Sequence, residues 1–473
     1  MSNFEAALFA LSLDRHAPTP LHEQLEEALR DLILSGQATP GARLPASRVM
    51  AAELSVSRIT VLTAVDQLIA EGYLETRRGA GTYVAADLPD MPPVEAAQSP
   101  ALTPPPRAVV LPLRPGLPDL DSFPHGDMAR LLERVWRHAS PALTGMPDPL
   151  GWMPLRAQIA AHLRAWRGIE ARPEQVIITS GAVEGFELIL RSILPAGGIG
   201  VVEDPVFQPM LEAFRSAGLT ALAHPVDAEG LDPMTAPLDG ASVCIVTPSR
   251  QYPTGATLPL PRRLALLEWA QEVGGWIVED DYDGEFRYRG KPLPALASLD
   301  RHGRVFYMGS FSKLLSPSLR LGYVVCPEAA LPALTEEMQR TGARASVVPQ
   351  PAVAAYMESG AFSTHLRRMR RTYAARQVFL QQALKGYEDW IIPQHADAGM
   401  HLCCQLGPRM AGWSDQEIAN AAKTRGLGLK ALSTYSQSNA APQGLLLGFA
   451  GFDEEVLRRA SQTLTQLLQE MGA

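Results

Sequence analysis

Apolar residues recur at helical spacing over residues 20–36, where Leu21, Leu25, Leu29, Leu32 and Ile33 form one stripe and Ser35-Gly36 supplies a stop. The pattern predicts a second helix over residues 46–54 and a third over 57–70, with Val61, Leu62, Val65, Leu68 and Ile69 turned inward. Two short helices meeting at Ser55-Val56 make a helix-turn-helix arrangement. The period then shortens to two. Tyr73-Leu74-Glu75-Thr76 and Thr82-Tyr83-Val84 read as strands, and Arg77-Arg78-Gly79-Ala80-Gly81 between them as the tip of a hairpin, a wing. Residues 1–85 are therefore expected to form a winged helix-turn-helix unit of α+β class.

Residues 86–110 change character. Pro89, Pro92, Pro93, Pro100, Pro104, Pro105 and Pro106 crowd a stretch with almost no apolar periodicity, a semi-extended linker long enough to carry the small unit to a partner subunit. From residue 111 to 473, strand-like runs at 176–178, 201–202, 243–246, 276–278 and 305–308 alternate with helical segments. Such alternation predicts an α/β unit of parallel strands with crossover helices, in which ligands gather at the carboxyl ends of the strands. The polar motifs fall there: Thr179-Ser180-Gly181, Glu203-Asp204-Pro205, Thr247-Pro248-Ser249, Asp280-Asp281-Tyr282 and Ser310-Phe311-Ser312-Lys313.

Composition narrows the class. With 473 residues, 46% hydrophobic and 19% charged, the chain suits a multidomain globular protein, and no stretch is long and apolar enough to suggest a membrane span. The first 16 residues carry Glu5 and Asp14 and lack a basic stretch followed by an apolar run, so no secretory signal is expected. Cys244, Cys326, Cys403 and Cys404 match neither a disulfide framework nor a zinc site, which points to a cytoplasmic, reducing location and to no metal. A net charge of −8 opposes broad nucleic-acid affinity, yet five arginines (43, 48, 58, 77, 78) face four acids (Glu53, Asp66, Glu71, Glu75) between residues 43 and 82.

Lys313 carries the chemistry. A lysine amine forms a Schiff base with an aldehyde, and pyridoxal 5'-phosphate also needs partners at its ring nitrogen, phenolic oxygen, phosphate and ring face. Asp280 suits the pyridine nitrogen and Tyr282 the phenolic oxygen. Ser180, Gly181 and Ala182 open a helix whose amides suit the phosphate, with Ser310, Ser312 and Arg320 completing the cup. Phe207 suits the ring face, and equally a plain core position.

On these motifs residues 111–470 resemble fold-type I aminotransferases, and residues 19–85 resemble the winged helix of the GntR superfamily. The fusion, in this order, resembles the MocR-type regulators. The matches include Leu44-Pro45-Ala46-Ser47-Arg48, Ser57-Arg58-Ile59-Thr60-Val61, Glu71-Gly72-Tyr73-Leu74, Arg114-Pro115-Gly116-Leu117-Pro118-Asp119, Val246-Thr247-Pro248-Ser249 with Pro253-Thr254-Gly255, and residues 279–283. The resemblance implies that Arg48 and Arg58 contact phosphate or guanine, that Ser47, Ser57 and Thr60 reach the backbone or base edges, and that Arg78, Gly79 and Gly81 bring the wing to the minor groove. It further implies a homodimer paired head to tail, with each winged helix against the opposite subunit. The effector it implies is an amine, an amino acid or a B6 vitamer.

Departures bear on that effector. Arg250 stands where the family commonly has His, and Val183 where it commonly has Gln. Between Arg425 and Arg458 there is no arginine to hold a substrate carboxylate, and Lys430 is the one basic residue. Either another group anchors the effector, with Arg250 the candidate and a surface role as its alternative, or the effector is not a simple amino acid. The reading is a pyridoxal phosphate-dependent regulator of double-stranded operator DNA. Its rivals are a working aminotransferase with a regulatory N-terminal domain, and a DNA-binding protein with a degenerate pocket.

Overall fold

The computed structural model describes residue 8 and residues 11–15, 17–77, 81–88, 110–290, 294–342, 344–394, 396–438 and 441–472. Arg78 and Gly79 of the wing and most of the proline-rich segment lie outside these. Internal contacts separate the chain into two compact units, Met1–Arg107 and Ala108–Ala473.

In the first unit, helix α1 (Leu21–Leu34) buries Leu25, Leu29, Leu32 and Ile33 and stops at Ser35, followed by Gly36 at φ 76°. Helix α2 (Ser47–Glu53) contributes Met50 to the core. Ser55, at φ 51°, turns the chain into helix α3 (Arg58–Ala70). Ser57 caps α3, its side chain accepting from the Thr60 amide at 3.0 Å. The inward face of α3 is Val61, Ala64, Val65 and Leu68. Leu62, expected inward, is 38% exposed, because it lies about 100° around the helix from Val61 while the i+3, i+4 and i+7 positions share its face. Ile69 is only half-buried. Strands β1 (Leu74–Arg77) and β2 (Gly81–Val84) pair antiparallel and close the core with Leu74 opposite Val84.

The second unit is built on a seven-stranded sheet of order β3-β9-β8-β7-β6-β4-β5. Its strands are β3 (Val176–Thr179), β4 (Ile199–Asp204), β5 (Thr220–Pro225), β6 (Val243–Val246), β7 (Trp276–Asp280), β8 (Val305–Ser310) and β9 (Gly322–Val325). Each run expected from sequence lies in a strand, and β3, β6 and β9 are buried along their whole length, as a sheet covered on both faces requires. Two strands escaped the pattern. β5 is a half-buried edge strand ending in His224-Pro225, and β9 is a four-residue strand that runs antiparallel to both β3 and β8. The sheet is therefore mixed rather than wholly parallel.

Helix α4 (Met153–Arg167) packs on this sheet, and α5 (Ala182–Ile193) follows β3. Strand β8 runs directly into the single turn α6 (Phe311–Leu314). The long helix α7 (Ala361–Ala383) leads into an antiparallel sheet of β10 (Ile391–Pro393), β11 (His401–Leu406), β12 (Lys430–Ala431) and β13 (Gly444–Gly448), in the order β10-β11-β13-β12. The terminal helix α8 (Glu454–Met471) packs against α7. All four cysteines are buried and unpaired. Among the described residues no helix is long and apolar enough to cross a membrane.

The small unit depends on few side chains, and Leu29, 1% exposed at the heart of α1, is one of them. Leu29→Ala is expected to cost about 2–5 kcal/mol, a large share of the stability of so small a unit. Calorimetry of the full chain should show the first unit melting earlier while the transition of the second stays in place; a shift of both together would contradict this independence.

Candidate functional site

The first turn of α3 presents Ser57, Arg58 and Thr60 together. Ser57 and Thr60 are joined by a hydroxyl–hydroxyl bond of 2.8 Å, and Arg58 Nε donates to Ser47 Oγ at the start of α2 at 3.3 Å. Arg43, Arg48 and Arg58 are exposed and engage no carboxylate among the described residues. Arg77 differs, since it pairs with Glu75 at 2.6 Å and lies over the Tyr83 ring. Gly81 opens β2 at φ 117°, and a Cβ there would lie 3.2 Å from Arg43 Nε, so the glycine lets that guanidinium lie against the wing. The unit thus offers unneutralised guanidiniums on the elements that would meet a phosphate backbone.

In the second unit the short turn α6 is fixed by Ser310, whose hydroxyl accepts from the Ser312 amide at 3.1 Å. The turn directs Lys313 inward, where its Nζ donates to the Gly116 carbonyl at 2.6 Å. Burial lowers the Lys313 pKa, while Asp283 and Asp280 act in the opposite direction. Asp280 ends β7; burial first, and then Asp281, Asp283 and Glu203, push its carboxyl up to about 7. No hydrogen bond from the described residues engages that carboxylate.

Tyr282 Oη accepts from Arg250 Nη1 at 2.9 Å. Arg250 is 4% exposed, which rules out the surface alternative. Its Nη2 donates to the His401 carbonyl at 2.8 Å, and its Nη1 also reaches Asp283 Oδ2 and His401 Nδ1, both at 3.4 Å. His401 Nε2 lies 3.0 Å from the Pro253 carbonyl, which can only accept, so Nε2 carries the proton and Nδ1 accepts from Arg250. Burial and the adjacent Arg250 hold His401 well below the ordinary histidine range.

Phe207 stands edge-on to Tyr252, with ring centroids 5.9 Å apart, and Tyr252 in turn meets Tyr282, His401 and Tyr435 edge-on at 5.4, 5.8 and 5.5 Å. These rings come from five separate segments, and nothing in the local pattern singled out Tyr252, His401 or Tyr435. Asp283 was within the motif at 279–283 but was given no role; burial pushes it up to about 7 despite Arg250. Behind the site, Arg167 pairs with Asp281 at 2.6 Å, and Tyr307 donates to the same carboxylate at 2.7 Å.

The residues expected to form the phosphate cup gather around Gly322. Its backbone pairs with Thr179 on one side and Ser310 on the other, and a Cβ there would lie 3.1 Å from the Gly181 Cα. Arg320, exposed and in the left-handed region at φ 50°, lies two residues earlier. Gly181 is the N-cap of α5, and no side chain caps that helix. The Ser180 amide is not available to a phosphate as expected, because it donates to Glu184 Oε2 at 2.5 Å. The open amides begin after it, at Gly181 and Ala182.

The family model for aminotransferase class I and II matches residues 118–462, and that for bacterial regulatory proteins of the gntR family matches residues 21–84. The chain is 39% identical over 472 residues to the probable rhizopine catabolism regulatory protein MocR of Rhizobium meliloti, covering 96% of this chain and 95% of that protein. It is 36% identical to the pyridoxine biosynthesis transcriptional regulator PdxR of Corynebacterium glutamicum, covering 95% and 96%. Among solved structures it is similar to the kynurenine aminotransferase of Pyrococcus horikoshii in complex with PMP, with TM-score 0.69 and 26% identity over 76% of this chain and 91% of that one. It is also similar to the α-aminoadipate aminotransferase LysN of Thermus thermophilus complexed with N-(5'-phosphopyridoxyl)-L-leucine, with TM-score 0.67 and 28% identity over 76% and 92%.

The cofactor these likenesses imply is pyridoxal phosphate, and the residues present fit it. A buried carboxylate without a protein donor, Asp280, suits a protonated ring nitrogen; a buried amine, Lys313, suits an aldehyde; an uncapped helix start with nearby Arg320 suits a phosphate. The chain belongs to the MocR-type transcription regulators, in which a GntR-family winged helix-turn-helix precedes a pyridoxal phosphate-dependent domain of the fold-type I aminotransferase class.

Proposed function

We propose that the aminotransferase-like unit of this DNA-binding regulator is a sensor: an amine, an amino acid or a B6 vitamer binds at the cofactor site around Lys313 and changes how the winged helices meet an operator. The observation that carries this reading is the convergence of Lys313, whose amine is held by the Gly116 carbonyl, with Asp280, a buried acid that receives no hydrogen bond from the described residues. When bound, pyridoxal phosphate supplies an aldehyde reactive toward amines and a ring that withdraws electrons.

The chain's own groups then divide the work. Lys313 holds the aldehyde carbon, its neutral form favoured by burial and its direction set by the Gly116 carbonyl. Asp280 keeps a proton on the ring nitrogen. Tyr282 receives a hydrogen bond from Arg250, which leaves its own O–H free to donate to the phenolic oxygen. The amides of Gly181 and Ala182, with Ser310, Ser312 and Arg320, hold the phosphate, and Phe207 with Tyr252 walls the ring. Ser180 contributes to the cup through its hydroxyl rather than its amide.

On the first unit, Ser57, Arg58 and Thr60 lie in the first helical turn, the part of a recognition helix that meets base edges, while Ser47 and Arg48 face the backbone. Arg78, Gly79 and Gly81 bring the wing to the minor groove. Residues 1–85, 86–110 and 111–473 are reader, linker and sensor, in a cytoplasmic homodimer paired head to tail with each reader against the opposite subunit. An effector acts in such an assembly only through unequal affinity for two arrangements of the readers. The lack of an arginine between Arg425 and Arg458 to hold a second substrate's carboxylate counts against full turnover and leaves a half-reaction open.

Lys313→Ala is expected to abolish the visible absorbance of the cofactor-loaded protein and to make promoter binding indifferent to amines, as followed by spectrophotometry and fluorescence anisotropy. Undiminished colour and an intact amine response in this variant would sink the reading. Arg58→Ala should lower the slope of log affinity against log salt by about one unit if the guanidinium meets a phosphate; an unchanged slope argues for a base contact or none.

Asp280 and Asp283 rise from an ordinary 3.8 to about 7 in the fold. Between those values the folded protein keeps protons that the unfolded chain has released, so stability falls as pH rises through the window. Thermal melts of the cofactor-free protein should therefore show Tm decreasing from about pH 5 to pH 7, with a shallower fall in Asp280→Asn. A fall of equal steepness in that variant would remove Asp280 from the account.

A further inference from the structure

A second recess lies between the strand ends of the seven-stranded sheet and the antiparallel sheet, a cleft of about 1050 Å³. Its volume is at the upper end of the range typical of small-molecule sites, roughly 300–1000 Å³. Neither Lys313 nor Asp280 lines it, and it reaches the cofactor site at Arg250.

The charged groups of the wall are engaged within the protein, with one exception. Asp204 accepts from Ser436 Oγ and the Gln437 amide, both at 2.9 Å. Asp227 is held by Arg262 at 2.6 Å, and Asp397 is likewise engaged. Arg250 is tied to Tyr282, Asp283 and His401, and Gly399 packs so closely on its side chain that a Cβ there would collide with it. Arg287 stands apart. Its Nε is buried without a partner, and among the described residues its guanidinium makes no hydrogen bond or ion pair.

The described groups behind the wall do not engage Arg287 either. Behind the wall, a cavity of about 20 Å³ is lined by Arg167, Arg250, Arg263 and Arg287 against a single carboxylate, Asp283. The Nε of Arg167 is also unpartnered. Arg263 gives its donors to the carbonyls of Leu258, Pro294 and Pro248; Glu279 and Asp281 act on it at a distance, but neither bonds it. Arg167 is paired with Asp281 and Arg250 with Asp283, so of the four guanidiniums Arg287 alone has neither an acid nor a hydrogen-bond acceptor among the described residues, and a partly dehydrated charge is costly unless an opposite charge is supplied.

We propose that this cleft binds a small organic anion, with the Arg287 guanidinium as the anchor for its carboxylate or phosphate group. Arginine presents a planar fork of donors that matches either group. The proposal builds on the sensor reading: it gives the effector an acidic group and supplies the anion-holding arginine missing from the segment between Arg425 and Arg458. A ligand there lies beside Arg250, and through Arg250 it touches Tyr282 of the cofactor site.

The test uses the full-length, cofactor-loaded protein in calorimetric titrations with succinate and, separately, inorganic phosphate. Neither probe has an amine, so neither can react at the Lys313 site. At least one should bind at roughly millimolar concentration or below, and the tighter of the two identifies the acidic group. Arg287→Ala should weaken binding at least about tenfold and Arg287→Lys less. Gln405→Glu places a negative charge at an exposed position of the cleft and should weaken binding several-fold without removing Arg287, which covers the case of a misfolded Arg287→Ala. Absence of binding by both probes, or affinity indifferent to both Arg287→Ala and Gln405→Glu, overturns the proposal. If the amine response at Lys313 persists in either case, the sensor reading stands without it.

Discussion

Charge compensation at the carboxyl ends of β4, β7 and β8 is the constraint on which the second unit depends. Glu203, Glu279, Asp280, Asp281 and Asp283 are all buried there, facing Arg167, Arg250, Arg263 and Lys313. Burial disfavours the charged form of a carboxyl unless a cation or hydrogen-bond donors compensate. Arg167 and the Tyr307 hydroxyl keep Asp281 bonded, Arg250 reaches Asp283, and Glu203 relies on the Thr247 amide and hydroxyl without a cation. Asp280 receives no such help among the described residues, and so it is the acid left open to a positively charged ring. The site is therefore defined as much by the acids that are already paired as by the one that is not.

Sheet topology turns that chemistry into a geometry. Because β3, β4, β6, β7 and β8 run in one direction, their polar carboxyl ends share an edge, and the reversed strand β9 enters between β3 and β8 at Gly322. A Cβ at Gly322 would lie 3.1 Å from the Gly181 Cα and would have to push that backbone away by a few tenths of an ångström. The amine turn after β8 and the helix start after β3 are thus brought to opposite sides of one backbone position. Thr179 and Ser310, far apart in the chain, flank one glycine of β9.

Much of this was legible in the sequence because it is encoded locally. The stripes of α1 and α3, the strand runs and the motifs after them each occupy a short window in which period and residue type agree. What escaped was non-local or competed with a neighbouring signal. Leu62 looked inward by hydrophobicity, while Ala64, too small to draw notice, has the right phase. β5 and β9 are short or edge strands with little alternation. The Ser180 amide looked available until Glu184, one turn along α5, closed back on it. Tyr252, His401 and Tyr435 form one aromatic cluster that no single window contains.

Arg250 shows how one departure from the family pattern reshapes a site. A guanidinium is charged at every accessible pH, whereas a histidine in this buried place would be held neutral, as the low pKa of His401 beside it illustrates. Arg250 thereby brings a permanent positive charge against the Tyr282 oxygen and forces His401 into the tautomer that accepts from it. The same charge makes Asp283 its closest acidic partner and withdraws that acid from service to Arg287. The arginine at this single strand end thus tightens the cofactor side of the wall, while Arg287 on the cleft side has no acidic partner among the described residues. That coupling gives the two recesses a common physical link, because any anion that neutralises the cleft acts on the guanidinium that also holds Tyr282.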